Sequence, residues 1–360
     1  MCKINKLKEE EGRVHCRHGY SRRSHGRVSS DAGSSLPIPN AEEPSRASFH
    51  KRSSLGIVIR AKTAGFCMGV ILALRNLDDI VEKGTVDGPI FTLGPIIHNP
   101  QVLEEYATMG IVAADSPEEI PRGATVVIRA HGVPKNVLEI LKERGAHIVD
   151  ATCPKVKKAQ LLIATEAQQG CTLLLYGEDS HPEVKGLLSY AAAGAHVFDS
   201  QEKLDAIPLE EGRRYCLASQ TTQDRRKFDA FATKLKSRQD RDVTVLHTVC
   251  DATRERQEET VRIAEEADIM VVVGGFDSGN TRRLVQVVTA QRKPCLHVET
   301  ARDLPMDDLK GFPKIGLTAG ASTPKRLIDE IYYLLESATK DPRGSRTSPG
   351  SAGHEGEKRT

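Results

Sequence analysis

No apolar run in this chain comes near the ~18–20 residues that an α-helix needs to cross a bilayer, so no membrane-spanning helix is expected. The first residues lack the apolar stretch of a secretory signal peptide. Eight cysteines in 360 residues are too sparse for a disulfide-built secreted scaffold, and mostly free thiols in a reducing cytoplasm are expected. Neither a Walker A motif nor a G-x-G-x-x-G fingerprint occurs, which removes the usual nucleotide and dinucleotide cradles. The formal charge of +2 is carried by the ends: residues 1–54 are net +5, residues 340–360 net +2, and the stretch between them net −5. An acidic body with basic tails does not fit a nucleic-acid binder.

Residues 1–54 and 339–360 are polar, aperiodic and rich in Ser, Arg, Gly and Pro, and are read as disordered extensions. A processed targeting peptide fits the first of them poorly, because Glu9–Glu11 and Glu42–Glu43 are unlike an acid-poor transit sequence. Strands and helices alternate between the tails, punctuated by Gly and Pro, which predicts an α/β fold with mainly parallel sheets. GAHIVDA (145–151) and GAHVFDS (194–200) form a faint internal repeat. The expected division is three similar α/β domains: 68–152, 153–249, and 55–67 with 250–338. Polar motifs fall where a strand gives way to a helix, the edge at which open α/β sheets bind ligands.

Three cysteines share one local setting. Cys67 follows IVIRAKTAGF, Cys153 follows HIVDAT, and Cys250 follows VTVLHTV. Each precedes a helical pattern, with Pro154 opening the second helix and Asp150 and Thr152 its expected caps. A sulfur at a helix N-terminus gains thiolate character. Three thiolates offered to one centre could hold zinc with a histidine, or an iron–sulfur cluster with one iron open. Cys171, Cys216 and Cys295 stand in strand-like runs and read as ordinary buried thiols.

His98, His131 and His181 lie in turns expected between a strand and a helix. One such histidine is an ordinary loop residue; three in equivalent places argue for convergence on one anion. Asp277–Thr281 (DSGNT) and Ala319–Thr323 (AGAST) are small-residue turns before helices. Either could be a cap alone; with the histidines they make a phosphate cradle of hydroxyls, amides and backbone N–H groups. Glu183, two residues after His181, is open to two readings, a first-turn carboxylate or a proton donor.

The pieces GFCMGV, HNPQV, AHGVP, DATCPKV, HPEVKG, QTT, CDATRERQE, SGNTRRL and TAGASTP, in that order, resemble the 4-hydroxy-3-methylbut-2-enyl diphosphate reductase family of the non-mevalonate (MEP/DOXP) isoprenoid pathway. The resemblance spans about Ile57 to Leu335. It implies three α/β domains in a cloverleaf around one [4Fe–4S] cluster held by Cys67, Cys153 and Cys250, with an iron left open for substrate. It implies diphosphate contacts at His98, His131, Ser278, Asn280 and Ser322, substrate positioning by His181 and Thr221, and proton delivery by Glu183. Some members carry a second serine where this chain has Gly279, which can offer only its backbone N–H. The implied reaction is reductive dehydroxylation to isopentenyl and dimethylallyl diphosphate. Electrons would come from ferredoxin or flavodoxin. No nucleic acid or membrane partner is expected, and a bacterial cytoplasmic location is expected over a plastid one. The rival readings are an iron–sulfur redox or metal sensor and a cluster-dependent hydro-lyase. Cys67→Ser, Cys153→Ser or Cys250→Ser is expected to lose or cripple the metal centre, while Cys171→Ser, Cys216→Ser and Cys295→Ser keep it. Iron and sulfide content after anaerobic purification measures this, and full iron in Cys153→Ser would reject the assignment.

Overall fold

The computed structural model describes residues 56–84, 88–237, 242–309 and 311–340. The two expected disordered extensions lie outside these residues, apart from the last residues of the closing helix. In chain order, β1 (Ile57–Arg60) leads to α1 (Met68–Lys83). β2 (Ile90–Leu93), α2 (Pro100–Thr108), β3 (Ile111–Ala114), β4 (Thr125–Ile128), α3 (Lys135–Glu143) and β5 (His147–Asp150) follow. Next come α4 (Pro154–Gln168), β6 (Thr172–Tyr176), α5 (Pro182–Leu188), β7 (Ala195–Phe198), α6 (Gln201–Asp205), β8 (Arg214–Ser219), α7 (Arg225–Lys236) and β9 (Asp242–Val245). The last set is α8 (Asp251–Glu266), β10 (Ile269–Val273), α9 (Gly279–Ala290), β11 (Cys295–Val298), α10 (Met306–Leu309), β12 (Lys314–Ala319) and α11 (Lys325–Lys340).

The strands make three four-stranded sheets, every pairing parallel. Their orders are β3-β2-β4-β5, β7-β6-β8-β9 and β11-β10-β12-β1, one plan three times. The fourth place is instructive. β5 belongs to the first sheet, yet it leads into Cys153 and the helix α4 that opens the second domain. β9 leads likewise into Cys250 and α8. β1 fills the fourth place of the third sheet, in register from Ile57 opposite Lys314 to Arg60 opposite Leu317, and leads into Cys67 and α1. Each of the three cysteines therefore stands where the chain leaves one sheet and starts the next domain.

Central strands such as β10 (IMVVV) and β6 (TLLLY) are buried along their whole length. Such continuous apolar runs suit parallel strands covered by helices on both faces. Leu173, Leu174 and Leu175 are at most 1% exposed, and each such side chain contributes ~1.5–3 kcal/mol of transfer free energy. The edge strands β1, β5 and β9 are only partly covered. Pro100, Pro154 and Pro182 begin α2, α4 and α5, where a missing N–H costs nothing.

Three local expectations are corrected. The strands before His98, His131 and Cys250 stop early, at Leu93, Ile128 and Val245, so those residues stand on loops. Gly94, at φ 69°, and Pro95 turn the chain away from β2. The short strand β3 (IVAA), apolar throughout and buried only at its ends, shows no alternation that could be seen in sequence. Asp150 and Thr152 do not cap α4, because Cys153 itself is the N-cap residue. Asp150 instead accepts the Thr152 N–H at 3.0 Å in a local turn and pairs with Lys157 at 2.7 Å.

Gly132 decides how the His131 loop sits. Its φ is +71°, and a Cβ there would lie 2.9 Å from Gln160 Nε2 and 3.2 Å from Thr152 Cγ2. A side chain would meet both a left-handed backbone and the wall next to Cys153. Gly132→Ala is expected to cost about 1–3 kcal/mol and to lower the thermal unfolding midpoint by a few degrees; an unchanged midpoint would contradict this tight approach.

Candidate active site

Cys67, Cys153 and Cys250 are the N-cap residues of α1, α4 and α8, and none has a side-chain capping bond. Each is fixed through its backbone in one repeated way. The Cys67 N–H donates to the Ala321 carbonyl at 3.2 Å, that of Cys153 to Ala130 at 2.9 Å, and that of Cys250 to Thr221 at 2.9 Å. Ala321, Ala130 and Thr221 follow β12, β4 and β8, the equivalent third strands of the three sheets. All three thiols border one cavity, about 740 Å³ with its open mouth included. Gly69 makes room between two of them, since a Cβ there would lie 2.5 Å from Cys153 Sγ and 3.9 Å from Cys67 Sγ.

Two of the thiols, Cys153 and Cys250, are held toward the protonated form. Burial pushes Cys153 up, the helix amides of Lys155 and Val156 act against it, and the thiols of Cys67 and Cys250 push upward again. Burial likewise raises Cys250 against the amides of Ala252 and Thr253. The helix N-termini do act on these two sulfurs, as expected from sequence, but burial, the largest cause, outweighs them. Three thiolates here need a positive centre between them.

The same cavity is lined by His98, His131, His181, Glu183, Thr221, Ser278, Gly279, Asn280 and Ser322, every further site residue expected from sequence. The histidine rings are mutually close, with centroids 4.9 Å (His98–His131), 5.4 Å (His131–His181) and 6.2 Å (His98–His181) apart. His98 Nε2 and His131 Nδ1 are enclosed without a partner. His181 Nδ1 accepts the Glu183 N–H at 3.1 Å, so in the neutral ring the proton sits on Nε2, toward Gly279. Ser278 caps α9, accepting the Thr281 N–H. Ser322 Oγ donates to the His98 carbonyl at 3.0 Å and stands 3.4 Å from Ser278 Oγ, tying the third domain to the first. Asn280 Oδ1 accepts the Ala321 N–H at 3.1 Å.

The histidine nitrogens lie within 4.8 Å of one another, close enough to suggest a divalent metal. Their surroundings also suit an anion. Burial first, then Arg129 and Arg282, hold His98 below its ordinary value; burial pulls His131 well below it, and burial with His98, Arg282 and Arg129 takes His181 down to about 3. Rings held neutral this way leave the site without a negative group of its own and with two arginines nearby. The first turn of α9 also lines the cavity, with its partial positive charge. The cradle fits an anion that brings its own negative charge.

Glu183 is 1% exposed. Its Oε1 accepts the Thr221 N–H at 2.6 Å and its Oε2 meets Thr221 Oγ1 at 3.0 Å. Burial raises the carboxyl to about 7 against those two hydrogen bonds. Through Thr221, whose carbonyl holds the Cys250 amide, this acid is joined to one of the thiol positions.

A family model described as LytB protein matches residues 58–336. The chain belongs to the LytB protein family. Relatives named 4-hydroxy-3-methylbut-2-enyl diphosphate reductase include one from Solidesulfovibrio magneticus, 54% identical over 283 residues, and one from Oleidesulfovibrio alaskensis, 56% identical over 280 residues. Each alignment covers 78% of this chain and 99% of the relative. A solved reductase from Plasmodium falciparum superposes with a TM-score of 0.74 at 26% identity, covering 78% of this chain and 87% of its own. A second solved structure, of the reductase described as the terminal enzyme of the non-mevalonate pathway, gives 0.57 at 35% identity, covering 78% and 99%.

Sequence reasoning overlooked three supports in this LytB-family chain. Arg256, 3% exposed, donates to the carbonyls of Thr63 (2.5 Å) and Gly65 (2.7 Å), and Glu259 accepts the N–H groups of Lys62 (2.9 Å) and Thr63 (2.8 Å). Together they bind the loop before Cys67 to α8. In DATRERQEET they read as a solvated helix face; only their three-to-four-residue spacing marked a common side. Arg129, just before the AHG turn, is the third.

Glu183 gives a pH signature. Its folded value, about 7, exceeds the ordinary 4.5, so the stability from its protonated form is complete below 4.5 and is lost as pH rises through about 7. The depressed histidines work oppositely, costing stability as pH falls below 6.5. Between pH 5 and pH 8 the thermal midpoint of the wild type is therefore expected to fall relative to that of Glu183→Gln, whose amide mimics the protonated acid. Parallel midpoints would reject the raised value.

Proposed function

We propose that this protein is a 4-hydroxy-3-methylbut-2-enyl diphosphate reductase that converts its substrate, with two electrons and two protons, to isopentenyl or dimethylallyl diphosphate and water. The observation that carries this reading is the meeting in one cavity of three helix-capping thiols, a neutral histidine cradle and a buried protonatable carboxyl. Curated relatives at 54–56% identity bear this activity in their names.

An iron–sulfur cluster fits the thiols. The donors are soft and number three, one from each inter-domain crossing, and helix amides already face two of the sulfurs. Among the described residues the three cysteines do not form the compact group that a single ion would need. Cys67, Cys153 and Cys250 would hold one [4Fe–4S] cluster. When bound, it supplies electrons from a donor such as ferredoxin or flavodoxin, and a Lewis-acidic iron.

The remaining roles belong to the protein. His98, His131, Ser278, Asn280 and Ser322, with the Gly279 backbone N–H, hold the diphosphate, whose charge favours protonation of the imidazoles. His181 Nε2 and Thr221 orient the allylic end. Glu183, near half-protonated at neutral pH, delivers one proton; the departing hydroxyl takes it to leave as water, and the second proton goes to carbon. The domains follow as 68–152, 153–249 and 55–67 with 250–338. No helix among the described residues is long and apolar enough to cross a membrane, and we place the enzyme in a bacterial cytoplasm.

Glu183→Gln keeps shape and hydrogen bonding but cannot donate this proton. It is expected to hold iron and sulfide at wild-type levels, bind diphosphate, and turn over at least ~100-fold slower. Anaerobic turnover with a one-electron donor, beside metal analysis, tests both halves. Near-normal turnover would return Glu183 to helix capping, and a protein with full iron that never reduces the allylic alcohol would sink the function.

A further inference from the structure

Arg129 is a cation without an anion. It stands just past β4 and two residues before His131. Its Nε is enclosed and unpartnered, and the side chain makes no hydrogen bond or ion pair with the described residues. The guanidinium lies against Gly94, where a Cβ would come within 2.3 Å of Nη1. Gly94 opens the loop that carries His98. One charge thus rides on one histidine loop and is packed into the base of another. Arg129 is half-buried, and enclosing its Nε without a partner is costly and calls for a reason. By contrast Arg282, the other cation acting on these histidines, is paired with Glu178 at 2.8 Å.

Arg129 does not border the cavity, so direct contact with a ligand is not what it offers. Its field reaches the ligand through the histidines. The charged and titratable groups acting on the trio are Arg129, Arg282 and Asp277, besides the histidines themselves.

We propose that Arg129 is a positioning residue for anion binding: a fixed positive charge behind the histidine cradle that draws a diphosphate in and sets how many protons the imidazoles must take up to hold it. This rests on reading the cavity as a diphosphate site. While Arg129 is present, the rings stay neutral until the anion arrives, and part of its charge is already balanced. Without Arg129, more of the balance falls to protons, and affinity must decline more steeply as pH rises.

The test uses the cluster-loaded protein and inorganic diphosphate, titrated calorimetrically at pH 6 and pH 8 in buffers of different ionisation enthalpy. Arg129→Gln is expected to bind about tenfold more weakly at pH 8, to lose much less at pH 6, and to take up more protons on binding. Arg129→Lys, which keeps the charge but not the planar fork, is expected to stay near wild type at both. Wild-type affinity and proton uptake in Arg129→Gln would overturn the proposal. So would a Lys variant that loses affinity at both pH values, since shape and not charge would then matter; this arm stands even where the Gln variant cannot be purified. A parallel His98→Ala variant separates the premises: if it too binds diphosphate normally, the cradle reading fails and the role of Arg129 with it.

Discussion

The site depends on a backbone bond made three times. At the end of the third strand of each sheet a carbonyl accepts the amide of a cysteine arriving from that sheet's own edge strand: Ala321 from Cys67, Ala130 from Cys153, Thr221 from Cys250. The edge strands β1, β5 and β9 deliver the cysteines, and the helices α1, α4 and α8 carry the chain away into the next domain. A thiol placed this way cannot drift without breaking a strand-end hydrogen bond and the start of a long helix together. Three domains with separate cores thereby present one sulfur each to one cavity. The N-terminal strand β1 must reach the C-terminal sheet to complete the set, which is why Arg256 and Glu259 fasten the loop between β1 and Cys67.

Around this frame the charges are arranged against one another. The thiols of Cys153 and Cys250 are held up by burial, the imidazoles are held down by burial and by arginines, and the Glu183 carboxyl is held up near neutrality. Each group therefore sits in its uncharged form or close to it. A cavity built from groups near their neutral forms takes its charge from what enters, which on the proposed reading is a cationic metal centre at the thiols and a polyanion at the histidines. The two sides share Thr221, whose carbonyl holds Cys250 and whose N–H and hydroxyl hold Glu183.

Much of this was legible in the residues. Parallel α/β architecture follows from buried runs such as IMVVV and from Gly/Pro punctuation, and the fold bears it out. The site residues named from sequence all line the cavity, because strand-to-helix turns converge at one edge of a parallel sheet; Arg256, which lines it as well, was not among them. What stayed hidden was of two kinds. Short elements such as β3 carry too little alternation to register. Residues whose meaning is tertiary, such as Arg256 buried under a charged helix face or Arg129 packed on Gly94, look like solvent-facing charges until distant loops are brought beside them. The thiolate argument gave one half for the same reason: the helix amides facing Cys153 and Cys250 are a local feature, while the burial that acts against them is not.

The arrangement also separates the reductase reading from its rivals on physical grounds. A metal sensor needs the thiols and an exposed path to respond; it has no use for a carboxyl 1% exposed and held by two hydrogen bonds from Thr221. Keeping an acid in such a place costs stability at neutral pH, and a fold bears that cost where a proton must be kept away from water until it is needed. A hydro-lyase would also use a proton donor beside an anion site, but it moves a proton and a hydroxyl with no net electrons. The distinguishing requirement is therefore an electron path to the sulfurs. Here the helices that start at the cysteines run out to the surface at once, with Met68 55% exposed immediately after Cys67. An exposed residue directly beside one thiol and an acid 1% exposed in the same cavity suit a reductive dehydroxylation, which takes electrons from outside and a proton kept from water until it is needed.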